Sequence, residues 1–323
     1  MRGFLSFSAR ILISGLLLYF ALRGIDFGEV RTRLLQGGAG WFFAWMALSV
    51  VVIVFQILLG AMRWQEISVR CNAPLGLMQA FRYNMIGTFF NQTLPSTIGG
   101  DAMRLWLVHR TGAGWRFATY SILVDRAIGL IALAVVVVAS LPWSYQLIAD
   151  PHGRSALLAV DLAALAGGLG FLVFGWLRWP FLKRLWGFDH LHACSLIANK
   201  VIFSQKHGPA IAVLSLLVHV LAVVIAWCVV RAITAPASFG QVFQLVPPVM
   251  LITMLPISIA GWGVREATMG LAFGYAGLMA SEGVNISLLF GAVTFLVGVV
   301  GGLVWIVSAE KAAQGAAPIE VPE

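Results

Sequence analysis

"TLPSTIGGDAMR", Thr93 to Arg104, interrupts an apolar region with a proline, two adjacent glycines, an aspartate and an arginine. The stretch returns as "MLPISIAGWGVR", Met254 to Arg265. Laid together without gaps, Leu94, Pro95, Ile98, Gly100 and Arg104 recur as Leu255, Pro256, Ile259, Gly261 and Arg265, an offset of 265 − 104 = 161 residues in a chain of 323. A second match pairs Ala73, Pro74, Gln79 and Phe81 with Ala235, Pro236, Gln241 and Phe243 at offset 241 − 79 = 162. Two matches in one order at nearly one offset read as an internal duplication.

The composition says what kind of chain is duplicated. It is 60% hydrophobic and 11% charged, with mean hydropathy +0.92, whereas soluble domains carry about 25% charged residues. The formal charge of +8 comes from basic residues scattered singly through short loops, a pattern of membrane topology rather than of nucleic-acid binding. Cys71, Cys194 and Cys228 have neither disulfide-framework nor metal-ligand spacing. No Walker A sequence is present, and no order of Ser, His and Asp suggests a hydrolase. No cofactor is expected.

Runs approaching the ~20 residues that cross a bilayer fall near 5–22, 41–62, 116–140, 155–177, 209–233 and 285–308. Arg2 and Arg10 before the first run resemble a signal peptide, but no A-x-A-like site follows, so this run reads as an uncleaved helix. Residues 75–110 and 238–281 are apolar enough to enter the membrane, yet each is broken by the repeated motif. Proline removes a backbone donor and glycine tolerates unusual dihedrals. Broken helices at membrane depth must be buried in protein or line a cavity, so both regions read as re-entrant helical hairpins. Residues 181–207 read as an amphipathic surface helix, and 311–323 as a disordered tail.

The expected fold is therefore an all-α polytopic membrane protein of six full spans and two re-entrant hairpins. Residues 1–150 form one repeat of span, span, hairpin, span, and residues 151–310 form the second. With the N-terminus in the cytoplasm, fourteen Lys and Arg fall on that side, Arg63 among them, and six on the other; Arg126 lies inside a span. That bias supports cytoplasmic termini. Three full spans separate the motifs, an odd number, so the halves are inverted relative to each other. Inverted repeats with broken helices are the architecture of many secondary transporters.

The motif chemistry points to anions. Helices restarting after Gly99 and Gly100, and after Gly261 and Gly263, would present free backbone N–H groups and a positive dipole end. Arg104 and Arg265 follow closely, and arginine presents a fork suited to phosphate; the plainer role is pairing with Asp101 or Glu266. Asp125 and Arg126, in "VDRAIGL", sit within the apolar zone of a span, where charges usually face a cavity or a partner. As helix neighbours they diverge by about 100°, so Asp125 is expected to meet Arg104 or Arg265, leaving Arg126 for a ligand phosphate, with a structural ion-pair network as the alternative. Asn91 and Gln92 either line the cavity or hold the turn. Glu266 either carries a coupling proton or caps a helix. His219 reads as a satisfied interhelical histidine, and His190 and His192 as weak metal candidates. Gly298 and Gly302 form a GxxxG packing pair.

"FNQTLPSTIGGDAMR" (90–104), "VDRAIGL" (124–130) and "LPISIAGWGVREA" (255–267) resemble the signatures of the lysylphosphatidylglycerol-synthase transmembrane family, also called flippase-like domain proteins, over roughly residues 5–308. The resemblance implies a bacterial inner-membrane protein similar to the membrane half of enzymes that aminoacylate phosphatidylglycerol and move the product between leaflets. By position, the family's charged motif residues fall on Asp101, Arg104, Asp125, Arg126, Arg265 and Glu266; Pro95 and Pro256 belong to the same motifs. The chain ends after its membrane region, so lysyl transfer is not expected. The implied ligand is an anionic lipid: a phospholipid, an isoprenoid phosphate or a hopanoid-type lipid. A membrane transferase using a lipid-phosphate donor, or a non-transporting partner of a lipid-synthesis enzyme, are the alternatives. A homo-oligomer is compatible with either.

Overall fold

Long unbroken apolar runs leave the backbone no solvent partner, so each run satisfies its own N–H and C=O groups as a helix. The computed structural model describes residues 38–93, 99–177, 187–254 and 261–308, and among these every regular element is helical. The run at 5–22, the motif prolines Pro95 and Pro256, and the tail at 311–323 lie outside the described residues.

The elements are α1 (Ala39–Arg70), α2 (Leu77–Thr93), α3 (Gly99–Val108), α4 (Gly114–Leu147), α5 (Pro151–Phe174), α6 (Phe188–Ile202), α7 (Gly208–Ala232), α8 (Phe239–Thr253), α9 (Val264–Tyr275) and α10 (Ala280–Val307). A single π turn, His109–Ala113, joins α3 to α4. It bends at Gly112 (φ 93°) and Gly114 (φ 77°), a backbone region that glycine enters without a Cβ penalty. Among the described residues, five helical segments are long and apolar enough to cross a membrane: α1, the α3–α4 unit, α5, α7 and α10. The chain is thus a multi-pass membrane protein. At about 1.5 Å per residue, α1 is about 48 Å long and must project beyond a ~30 Å hydrocarbon layer.

Both motif regions break as the sequence predicts. α2 ends at Thr93 and α3 begins at Gly99; α8 ends at Thr253 and α9 begins at Val264. In each case the two short helices pack on each other. The α2–α3 contact is close because Gly100 faces the carbonyl of Gly87: a Cβ at Gly100 would lie 2.1 Å from that oxygen.

α1 and α7 form the central pair. They run antiparallel, since Trp41 Nε1 donates to the Arg231 carbonyl (2.8 Å) near one end and Gln56 Nε2 donates to the Val218 carbonyl (2.7 Å) near the middle. Around this pair, α2 packs on α10 and α8 on α4; α3 packs on α4 and α9 on α10; α1 touches α2, α4 and α10, and α7 touches α8, α10 and α4. The GxxxG pair serves packing as expected. Gly298 and Gly302 lie against Gln92 and Phe89, and between them Gly301 leaves no room for a Cβ beside the Met85 carbonyl. The largest core joins Val229, Val246, Met269, Phe273, Ile286 and Val297 from α7 to α10.

Segment α6 is less superficial than its charges suggest. Cys194, Ser195, Ala198, Asn199 and Val201 are buried, and Asn199 Nδ2 donates to the Leu172 carbonyl at the end of α5.

Candidate functional site

Three helices bring five charges into one row. Arg63 of α1 donates through Nε to Asp125 Oδ1 (2.9 Å). Arg104 of α3 donates through Nη2 to Asp125 Oδ2 (3.0 Å) and through Nη1 to Asp101 Oδ1 (3.1 Å). Arg126 of α4 donates to the other Asp101 oxygen. The order Arg63–Asp125–Arg104–Asp101–Arg126 alternates in sign, begins and ends on arginine, and carries 3 − 2 = +1. Arg104 also lies 4.0 Å above the Trp64 ring, a face that attracts cations.

Helix geometry explains the assembly. Asp101 and Arg104 stand three residues apart on one face of α3. Asp101 is in the first turn, where a negative charge suits the helix dipole, and Arg104 is one turn on. The adjacent Asp125 and Arg126 diverge around α4, so each finds a different partner. The network expectation and the expected Arg104–Asp125 contact therefore both hold, and Arg126 is engaged by Asp101 rather than left over.

This row forms one wall of a cavity of about 290 Å³, with Gln56, Asn84, Thr88 and Asn91 among its other lining groups. Its volume is near the lower end for small-molecule sites. Asn91 fills both roles anticipated for it: it lines the cavity, and its Oδ1 accepts from the Gly100 N–H (2.8 Å), joining the two arms of the hairpin. Gly99 and Gly100 are buried at the start of α3. Two donors in the row, Arg63 Nη1 and Arg104 Nε, are buried without a hydrogen-bond partner. Arg126 is the accessible member, its side chain 34% exposed.

The second motif builds a different arrangement. Glu266, fully buried, accepts from the Gly263 N–H (2.7 Å) and so caps α9. Its Oε1 also accepts from Arg265 Nη2 (2.9 Å) and from the Ser287 hydroxyl (2.9 Å), while Arg265 Nε donates to Ser287 (3.0 Å). Gly261 (φ 80°) and Gly263 (φ 83°) supply the turn. Trp262 and Phe290 flank the guanidinium at 5.1 and 5.6 Å, and Gly291 leaves space for it. Arg265 does not line the cavity, so the structure does not bring Arg104 and Arg265 to one site. Arg265 meets Glu266, not Asp125.

Arg63, Trp64, Gln56, Asn84 and Thr88 escaped the sequence reading. Arg63 sits one residue beyond the expected end of a span, where it reads as a loop charge; Asp125, an acid in need of a cation, is the available signal. His219 is the satisfied residue expected, with Nε2 2.8 Å from the Gly129 carbonyl. His190 Nδ1 lies 2.7 Å from the Tyr120 hydroxyl, and among the described residues no group of acids, histidines and cysteines could hold a metal.

One family model, described as "Lysylphosphatidylglycerol synthase TM region", matches residues 7–302, and the chain belongs to that family. The comparisons with curated proteins and with solved structures found no match.

Proposed function

We propose that this member of the lysylphosphatidylglycerol synthase TM family moves an anionic phospholipid, or a phosphate-bearing lipid precursor, between the leaflets of a bacterial inner membrane. The observation that carries the reading is the polar cavity inside an apolar bundle, walled by three arginines and two aspartates with one positive charge in excess. Burying charge in a membrane protein is costly, and such charges mark substrate pathways. Arginine matches phosphate in geometry as well as sign. The lipid phosphate binds at Arg126 and Arg104, with Asn91 and Asn84 as neutral donors to the headgroup, while the alkyl chains stay in the bilayer.

The packing supports an inverted repeat. Exchanging α1 with α7, α2 with α8, α3 with α9 and α4 with α10 turns each contact around the central pair into another contact of the same set. Gln56 touches Val218, its own equivalent at offset 218 − 56 = 162. A residue meets its equivalent near a two-fold axis, and an axis crossing two antiparallel membrane helices lies in the membrane plane, as in inverted-repeat transporters. On this alignment the halves have diverged. Arg104 and Arg265 correspond, but Asp101, Asp125 and Arg126 face Trp262, Ile286 and Ser287, and Arg63 faces Ile225. The first hairpin binds; the second, neutralised by Glu266, holds the frame. Both hairpins return to their own side, and the termini are cytoplasmic.

Leaflet exchange in proteoliposomes tests the reading, with a labelled anionic phospholipid offered beside a neutral one. Arg104-dependent movement of the anionic lipid, recovered with its mass unchanged, is the expected result. A changed lipid mass would support the transferase alternative. No exchange by folded wild-type protein would count against translocation of ordinary phospholipid.

A further inference from the structure

Asp101, Asp125 and Glu266 each accept from an arginine. Asp161, near the middle of α5, accepts from nothing: it is 3% exposed, and both carboxyl oxygens are buried without a hydrogen-bond partner. It does not point to lipid. Gly153, Leu157 and Asp161, four residues apart, are the buried face of α5, whereas Leu158, Leu162, Leu165, Leu169 and Val173 are exposed.

Asp161 stands between two apolar cavities. One, about 140 Å³, lies between Leu157 and Val160 of α5 and Leu245 and Val249 of α8. The other, about 290 Å³, lies between Ala164 and Gly168 of α5 and Ile131 and Ala134 of α4. The short connection from α4 to α5 runs them antiparallel, which sets Val136, Val137 and Ser140 level with Asp161; the Ser140 hydroxyl already donates to the Val137 carbonyl (2.9 Å).

Among the described residues, the other elements against α5 offer no counter-charge. α8 carries no titratable residue. On α4, Arg116, Tyr120, Asp125 and Arg126 lie towards the far end, and Tyr145 stacks with Arg154 near the α4–α5 connection. Asp189, His190, His192, Cys194 and Lys200 of α6 belong to a helix whose hydrogen bonds reach α5 at Phe171 and Leu172, and Tyr275 of α9 meets α5 at Gly153.

A lone ionised carboxylate in such surroundings is costly. A metal ion needs several oxygen ligands, and none converge here. The proton is the cation that one carboxyl group can hold unaided. We infer that Asp161 is an intramembrane proton-exchange site: its neutral acid packs in the α4–α5–α8 interface, and transfer of the proton to water hydrates the adjoining cavities and loosens α5. Proton movement is thereby tied to a rearrangement of α5, whatever the cargo.

Infrared spectroscopy of the whole protein in bilayers, wild type against Asp161→Asn, tests this without a transport assay. The expected difference spectrum holds the C=O stretch of a protonated acid, replaced by carboxylate bands as the pH is raised. Absence of that stretch, or no response to pH while the protein stays folded, would overturn the assignment. A second readout uses Ala164→Cys in the neighbouring cavity, against a background of buried native cysteines. Labelling by a water-soluble thiol reagent should rise more steeply with pH when Asp161 is present than when it is replaced by Asn. Equal pH dependence in the two proteins would exclude the opening.

Discussion

Asp125 holds the row together, because it is the acceptor for both Arg63 and Arg104. Asp125→Ala leaves buried Arg63 without its acid and removes one of the two that hold Arg104, and removing one member of a buried pair costs about 3–5 kcal/mol; a marked loss of thermal stability in detergent is the expected outcome. Arg126→Ala removes a part-exposed end of the row and should cost no more than about 1 kcal/mol, measured in the same unfolding experiment. The thiols outside the spans give a pH prediction. Burial, with Cys194 and Asp125 as lesser causes, pushes the Cys71 thiol up from 9.0 to about 12, and burial pushes Cys194 up to about 11. Both pKa values are raised, so the folded state keeps protons that the unfolded chain releases. These thiols leave stability unchanged below about pH 9 and lower it as pH rises from there towards 12. Alkylation at neutral pH should reach them only after unfolding, as mass spectrometry would show.

At the scale of elements, glycines set the helix spacing. A Cβ at Gly100 would meet the Gly87 carbonyl at 2.1 Å, and one at Gly301 the Met85 carbonyl at 2.0 Å. Gly100→Ala and Gly301→Ala should each destabilise by about 1–3 kcal/mol as overpacking defects, whereas Gly167→Ala, which meets no neighbour, should be near neutral; thermal unfolding separates them. The long helices and both breaks were legible in the sequence because apolar runs and Pro/Gly punctuation act locally. Pairing between distant charges was not. Arg63 and Asp125 are 62 residues apart, and nothing local to Arg63 separates a buried ion pair from a loop charge. Arg265 was legible as a motif residue, but its neutralisation needed Ser287 and Glu266 to be seen together. Asp161 was hidden by its apolar neighbours, which made the segment read as an ordinary span.

Across the whole molecule, the antiparallel α1–α7 pair fixes which ends share a membrane face. Trp41, Trp45 and Trp227 surround Arg231, at 5.5–5.8 Å from ring to guanidinium, as interfacial aromatic belts do. Cysteines introduced by Gly38→Cys and Thr234→Cys should therefore react with an impermeant reagent from the same side of sealed vesicles; opposite sidedness would refute the arrangement. In the proposed function the charged cavity of the first hairpin carries the phosphate of a moving lipid. Leaflet exchange by Arg126→Ala tests it most directly, since that variant leaves Arg63, Asp125 and Arg104 paired and the fold intact. The expected result is loss of anionic-lipid exchange with stability within about 1 kcal/mol of wild type. Undiminished exchange by Arg126→Ala would contradict it.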